Sequence, residues 1–339
     1  MYYDKIKIYV TSRIAEILLK DAEQFEFFKK DGLTPNKNAL LTKLIVNYSD
    51  EFRKKGNELF HYLCKTIGAR ARISDASLKA LCFDISEHVS DLNVAPDGEK
   101  FDKLISLKPT KESQPIIDYI ESYELEGASL SEYFRNMFAS YASLPQDRRE
   151  GIIFKEQKNA LLQAIKEKNK VFLSFTQGKR NAMELSPYAL TTTKEELHAY
   201  LIGSDGNRCI PLRLSRIQTV TILREESIFS EEEIFNLERM LEHGPQFPYS
   251  PQEEEITVEL TDKGKEKFKK IYLHRPTPVR IQDNFYIFRC SYAQAIQYFC
   301  RFGNDAYVVS PRRVRDEIQY FYKKGFFAYK NRPQEGGEE

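Results

Sequence analysis

Residues 197–217, LHAYLIGSDGNRCIPLRLSRI, decide how the rest of the chain is read. An apolar run leads into the turn residues Ser204-Asp205-Gly206-Asn207, and a return segment ends in two arginines, the pattern of a β-hairpin. Side chains alternate across a strand, so His198, Tyr200 and Ile202 share one face while Ala199 and Leu201 share the other. On the return strand Arg213 and Ser215 oppose Leu212 and Leu214. The pattern predicts a half-buried ribbon with an aromatic hydroxyl and guanidinium groups on one surface, suited to phosphate and base-stacking contacts. A regular strand would send Arg213 and Arg216 to opposite faces. Both can serve one groove only if the strand ends or bulges near Ser215.

Two further strands are expected upstream, at Val171-Phe172-Leu173-Ser174-Phe175 and Glu184-Leu185-Ser186-Pro187-Tyr188-Ala189-Leu190. With the hairpin, these segments resemble the WYL domain, a small Sm-like β-barrel of bacterial regulators. Its Trp-Tyr-Leu tripeptide falls on Ala199-Tyr200-Leu201 and its arginine-bearing strand on Pro211 to Ile217; the chain contains no tryptophan. The resemblance implies a groove for single-stranded nucleic acid formed by Ser174, Lys179, Arg180, His198, Tyr200, Arg208, Arg213 and Arg216. Arginine would supply bidentate phosphate contacts and tyrosine a stacking face.

The chain has 339 residues, enough for two or three domains, and a net charge of +1. Any nucleic-acid site must therefore be a local patch. Lys170–Arg224 carries eight Lys/Arg against four Asp/Glu, a bias of +4. Cys64, Cys82, Cys209, Cys290 and Cys300 are scattered and odd in number, as expected of reduced thiols in a cytoplasmic protein. No signal peptide or membrane span is expected.

At the N-terminus, Lys5-Ile6-Lys7-Ile8-Tyr9-Val10 alternates as a half-buried strand does. Thr11 or Ser12 is placed to cap a helix over about 13–30, and a second helix is expected from Asn36 to about Tyr48. Strand, helix, turn and helix in this order resemble the ribbon-helix-helix fold. By that resemblance Lys5, Lys7 and Tyr9 would face duplex DNA, and the backbone near Asn36, Lys37 and Asn38 would clamp a phosphate. The pattern recurs: a strand at Leu104–Lys108, a helix from Pro109 to about Tyr123, and another from Ser131 to about Tyr141. Two such copies could pair within one chain, with Leu104 and Ser106 standing where the first copy has Lys7 and Tyr9.

Residues 51–93 read as two further helices. His61, Cys64, Cys82 and His88 have zinc-ligand types, but both cysteines lie on apolar stripes, so packing is expected and no metal. After the barrel come a connecting helix at Ser230–His243, a stiff linker at 244–251, and the order βαββαβα to Tyr329. That order resembles the ferredoxin-like extension of WYL proteins.

The expected fold is thus α+β and multidomain: a duplicated ribbon-helix-helix-like domain over 1–150, an Sm-like barrel over 151–228, a helix and linker over 229–251, and a ferredoxin-like domain over 252–330. The sequence lacks phosphate-loop, dinucleotide, zinc-protease and nucleophile-elbow motifs, so a non-enzymatic role without a cofactor is expected. The combination most resembles the WYL accessory proteins of type VI CRISPR systems, which implies RNA binding, stimulation of an RNA-guided RNase and homodimerisation through the C-terminal domain. A ribbon-helix-helix transcription factor with a ligand-sensing barrel is one alternative. A protein-docking adaptor, using Phe321, Tyr322, Phe326, Phe327 and Tyr329, is another.

Overall fold

The computed structural model describes residues 5–94, 100–125, 127–175, 181–193, 198–247 and 254–330. The fold is mixed α/β with three antiparallel sheets, and the chain divides into two compact units, Met1–Lys158 and Asn159–Glu339.

In the first unit, β1 (Ile6–Val10) pairs antiparallel with β2 (Lys103–Leu107) of the same chain, Ile8 opposite Ile105. Ile6, Ile8, Val10, Ile105 and Leu107 are buried, while Lys5, Lys7, Tyr9, Lys103, Leu104 and Ser106 are exposed. Lys7 stands opposite Ser106 and Tyr9 opposite Leu104. The helices α1 (Ser12–Gln24), α2 (Lys37–Gly68), α3 (Asp75–Val94), α4 (Gln114–Tyr123), α5 (Leu130–Ala142) and α6 (Gln146–Ile153) complete this unit, and α7 (Lys155–Glu167) leads out of it. From α5, Ser131 Oγ donates to the Lys7 carbonyl and Arg135 Nε to that of Tyr9, each at 2.9 Å. These bonds occupy the outer edge of β1, which would otherwise be open to another strand.

Thr11 caps α1, its hydroxyl accepting from Ile14 N. The helix ends at Gln24 rather than near Lys30, and packing explains why. Phe25 and Phe27 both pack on Phe154, with centroids 6.0 Å away in each case. Residues two apart on a helix point in nearly opposite directions, so both rings reach one partner only if the helix stops. The chain turns through Glu26 at φ +61° and returns by a bridge between Phe28 and Pro35. There the Thr34 hydroxyl and the Thr34 and Leu33 amides donate to Asp31, holding its carboxyl down to about 2. The helix expected to end at Tyr48 instead runs on to Gly68, since no proline or cap interrupts it.

The buried anchor of this unit is ionic. Asp21 on α1 accepts from Arg149 Nε at 2.7 Å and Nη2 at 2.9 Å, and from the Tyr141 hydroxyl at 2.8 Å. Arg149 Nη1 donates to the Leu144 carbonyl at 2.6 Å.

In the second unit, β3 (Asn169–Phe175), β4 (Ala182–Thr192), β5 (Ala199–Ser204), β6 (Cys209–Arg213) and β7 (Ile217–Glu226) form a sheet in the order β6-β5-β4-β3-β7. The expected Sm-like barrel is not closed among the described residues, because no ladder joins β6 to β7. Strand β6 is five residues long, and a 3-10 turn at Leu214–Arg216 carries the chain to the opposite edge, where β7 pairs with β3. Closure would need a continuous register between the two edge strands.

The helix α8 (Glu231–His243) starts at a capping box between Ser230 and Glu233 and packs on β5 and β6 through Leu237 and Met240. Gly203 is confined: a Cβ there would lie 2.3 Å from the Ser186 carbonyl oxygen of β4. Gly203→Ala is expected to cost about 2 kcal/mol, read as a lower urea midpoint with unchanged slope.

The remaining strands are β8 (Ile256–Leu260), β9 (Pro278–Gln282), β10 (Phe285–Phe288) and β11 (Ala306–Ser310), with α9 (Asp262–Lys270), α10 (Tyr292–Phe299) and α11 (Arg312–Lys330). Element order is βαββαβα, and the antiparallel sheet runs β11-β8-β10-β9. Ile256, Val258, Leu260, Phe288, Tyr298, Phe299 and Phe302 form its core with Val314 and Ile318 of α11. The outer part of α11 leaves Phe321, Phe326, Phe327 and Tyr329 exposed. No helix among the described residues is long and apolar enough to cross a membrane.

Candidate nucleic-acid interface

The hairpin of β5 and β6 is closed by side chains of its own turn. Asp205 Oδ1 accepts from the amides of Asn207 and Arg208, each at 3.1 Å, and Gly206 takes φ +84°. Ser204 Oγ donates to the Glu233 carboxylate and accepts from Gly206 N, tying the turn to the start of α8. Arg208 lies at this end, 62 % exposed, with Nε 3.7 Å from Asp205.

At the other end of the hairpin, Tyr200 is the cross-strand partner of Arg213. Arg213 Nη2 donates to His198 Nε2 at 2.6 Å. That bond requires a neutral imidazole with its proton on Nδ1. It also fixes the direction of the half-buried guanidinium. Strand β6 stops at Arg213, and exposed Arg216 follows three residues later on the 3-10 turn. Strand β6 thus ends two residues before Ser215, so strand alternation does not govern the direction of Arg216.

The surface differs from the expected half-buried ribbon. Every position of β5 is buried, and Tyr200 is only 8 % exposed. Helix α8 covers this face of the hairpin at Ile202 and Cys209, and Tyr200, buried on the same face, offers no open stacking surface. Arg208 and Arg213 are also separated. Five residues of strand span about 17 Å and reverse the face, so the two cannot grip one phosphate.

Ser174 and Thr219 are partners across β3 and β7, with hydroxyls 2.5 Å apart. Lys179 and Arg180 fall outside the described residues. The structure thus brings together His198, Tyr200, Arg213 and, next along the chain, Arg216. A row across three strands, Thr191-Tyr200-Arg213, marks this end of the sheet on the α8 side; sequence reasoning missed Thr191. Its only signal was membership of the Thr191-Thr192-Thr193 run that ends β4.

On the ribbon of the first unit, Lys5, Lys7 and Tyr9 are exposed together with Lys37. The proposed phosphate clamp is mostly engaged in structure. Asn36 Oδ1 accepts from Ala39 N as the cap of α2. The Asn38 amide donates to the Lys108 carbonyl at 3.1 Å and accepts from Lys108 N at 2.7 Å. The matching helix start, α5, is capped by Ser129 and carries Glu132 in its first turn, which repels phosphate. Of the zinc-type residues, His88 falls outside the described side chains. Cys82 is fully buried, which with a hydrogen bond to Cys64 pushes its thiol pKa up.

No described protein family matches the chain, and no curated protein does. Among solved structures, the chain is similar to a CRISPR Cas-related protein: TM-score 0.63 and 19 % identity, over 97 % of this chain and 95 % of that one. It is also matched to the proteasome accessory factor B/C (PafBC) of Arthrobacter aurescens, with a TM-score of 0.24 and 14 % identity, over 68 % of this chain and 38 % of that one. At such identity the first likeness establishes a shared fold along nearly the whole chain.

Proposed function

We propose that this chain is a non-enzymatic regulator of a CRISPR system that binds single-stranded nucleic acid, RNA in preference to DNA, at the Arg213 end of its five-stranded sheet. The observation that carries the reading is the guanidinium of Arg213, aimed by His198 and followed by exposed Arg216. A guanidinium oriented in advance loses less freedom when it binds phosphate than a mobile one does. The fold shared with a CRISPR Cas-related protein supports the biological setting. In this reading the bound strand belongs to an RNA-guided RNase of type VI, which the protein stimulates as an accessory. It assembles as a cytoplasmic homodimer through the aromatic surface of α11, and the C-terminal sheet is of the ferredoxin-like type. The ribbon of the first unit, with Leu104 and Ser106 opposite Tyr9 and Lys7, serves assembly more than duplex reading.

The test is a filter-binding titration of the full chain against single-stranded RNA, single-stranded DNA and duplex DNA of one sequence at several salt concentrations. Single-stranded RNA is expected to bind best, with log affinity falling by about 0.7 per phosphate contact for each tenfold rise in salt. Equal or better binding of duplex DNA, or no binding at all, overturns the reading.

A further inference from the structure

Beyond Thr191 in the row Thr191-Tyr200-Arg213, the sheet meets the end of α8 and the C-terminal domain around a cavity of about 250 Å³. Thr191, Thr192 and Thr193, the turn from His243 to Phe247, Arg275 and Gln294 line it. Gln294 is 4 % exposed; its Nε2 donates to the His274 carbonyl at 3.4 Å, while its Oε1 accepts no hydrogen bond. The Oε1 of Gln246, in the turn that follows α8, is likewise buried and without a donor. A buried amide oxygen left this way costs about 1–3 kcal/mol, so two on one cavity wall call for a donor from outside the protein. Arg275 is held back from that role, since Nη1 donates to the carbonyls of Phe268 and Lys269.

The lining sets the chemistry of the occupant. Two carboxamides and three threonines offer neutral donors and acceptors; among the described residues Glu242, exposed, brings the one carboxylate of the lining, and His243 and Arg275 its basic groups. Such a wall suits a planar, uncharged molecule with N–H groups on its edge. A glutamine carboxamide pairs in bidentate fashion with the exocyclic amine and neighbouring ring nitrogen of adenine. The cavity starts two strands from Arg213, a separation of about 10 Å, within reach of a nucleotide whose phosphate sits on that arginine.

We infer that this cavity takes an unstacked nucleobase, adenine by preference, with Gln294 and Gln246 reading its edge. The inference deepens the single-strand reading and rests on it for the source of the base; a free nucleoside presents the same chemistry. Thr193 N donates to the His198 carbonyl at 3.0 Å, so the cavity wall is bonded to the residue that aims Arg213.

Calorimetric titration of the full chain with adenosine, and separately with an octamer of adenylate RNA, tests the inference, using wild-type, Gln294→Leu and Gln246→Leu proteins. Adenosine is expected to bind wild-type protein saturably, and Gln294→Leu to weaken it at least tenfold without lowering the melting temperature. The octamer should bind wild-type protein more tightly than adenosine. Octamer binding without adenosine binding, or adenosine binding equal in both variants and wild type, overturns the cavity assignment and leaves the single-strand reading intact. Adenosine binding without octamer binding keeps the cavity as a nucleoside site and overturns the single-strand reading. A melting temperature that falls in Gln294→Leu while Gln246→Leu binds normally overturns the cavity assignment, since Gln294 would then be a packing residue.

Discussion

Arg149→Ala is expected to destabilise the first unit by about 3–5 kcal/mol, the range found when one partner of a buried ion pair is removed. Asp21 is fully buried and takes two of its three hydrogen bonds from this guanidinium. Without it, a carboxylate stays in a low-dielectric interior with only the Tyr141 hydroxyl as donor. Burial raises the pKa of that hydroxyl well above its ordinary value, so it remains a neutral donor and supplies no compensating charge. The measurement is a urea transition followed by helical circular dichroism. A companion double variant, Asp21→Leu with Arg149→Met, should lose less than Arg149→Ala alone, because it leaves no orphaned charge. A loss below about 1 kcal/mol for Arg149→Ala would show that water reaches Asp21 and that the pair contributes no more than a surface bridge.

The second large effect concerns binding. Arg213→Ala should weaken single-stranded RNA about tenfold to a hundredfold, since a hydrogen bond to a charged group contributes about 1.5–3 kcal/mol and each 1.4 kcal/mol is tenfold. The salt slope should fall by about 0.7, the value of one phosphate contact on a single strand. Arg213→Lys should recover part of the affinity, because it keeps the charge but loses the planar fork. Arg208→Ala is the internal control. That side chain sits at the opposite end of the hairpin beside Asp205, and its removal should change affinity less than threefold. Were Arg208→Ala to cost as much as Arg213→Ala, the bound strand would have to run along the hairpin rather than across its end.

What could be read from the chain in advance followed its local periodicity. The ribbon strands, the hairpin with its Asp205-Gly206 turn and the βαββαβα order all carry strong alternation or turn chemistry, and each stands within a few residues of its expected place. The failures belong to tertiary contacts. Nothing local announces that Phe25 and Phe27 will share Phe154, so the end of α1 was overrun. Periodicity gives the faces of β5 but not what lies over them, and α8 turned a solvent face into an interior one. The open sheet has the same origin: four of its strands and the arginine spacing are legible in the sequence, whereas β7, a fifth strand beyond those expected, and the absence of a β6–β7 ladder depend on which edges meet in space. The residues of the Gln294 cavity are spread over about a hundred positions and have no motif between them.

The pairing of β1 with β2 inside one chain has a consequence for symmetry. A ribbon made by two identical chains must present each residue twice, related by a twofold axis, and so suits a palindromic or twofold-related target. Here the two strands have different sequences, Lys7 and Tyr9 facing Ser106 and Leu104, and the outer edge of β1 is filled by Ser131 and Arg135. The module therefore forms at any protein concentration, by a first-order reaction. Each of its halves is free to change without altering the other, and whatever this face contacts is met by two unlike halves, one basic and one largely neutral.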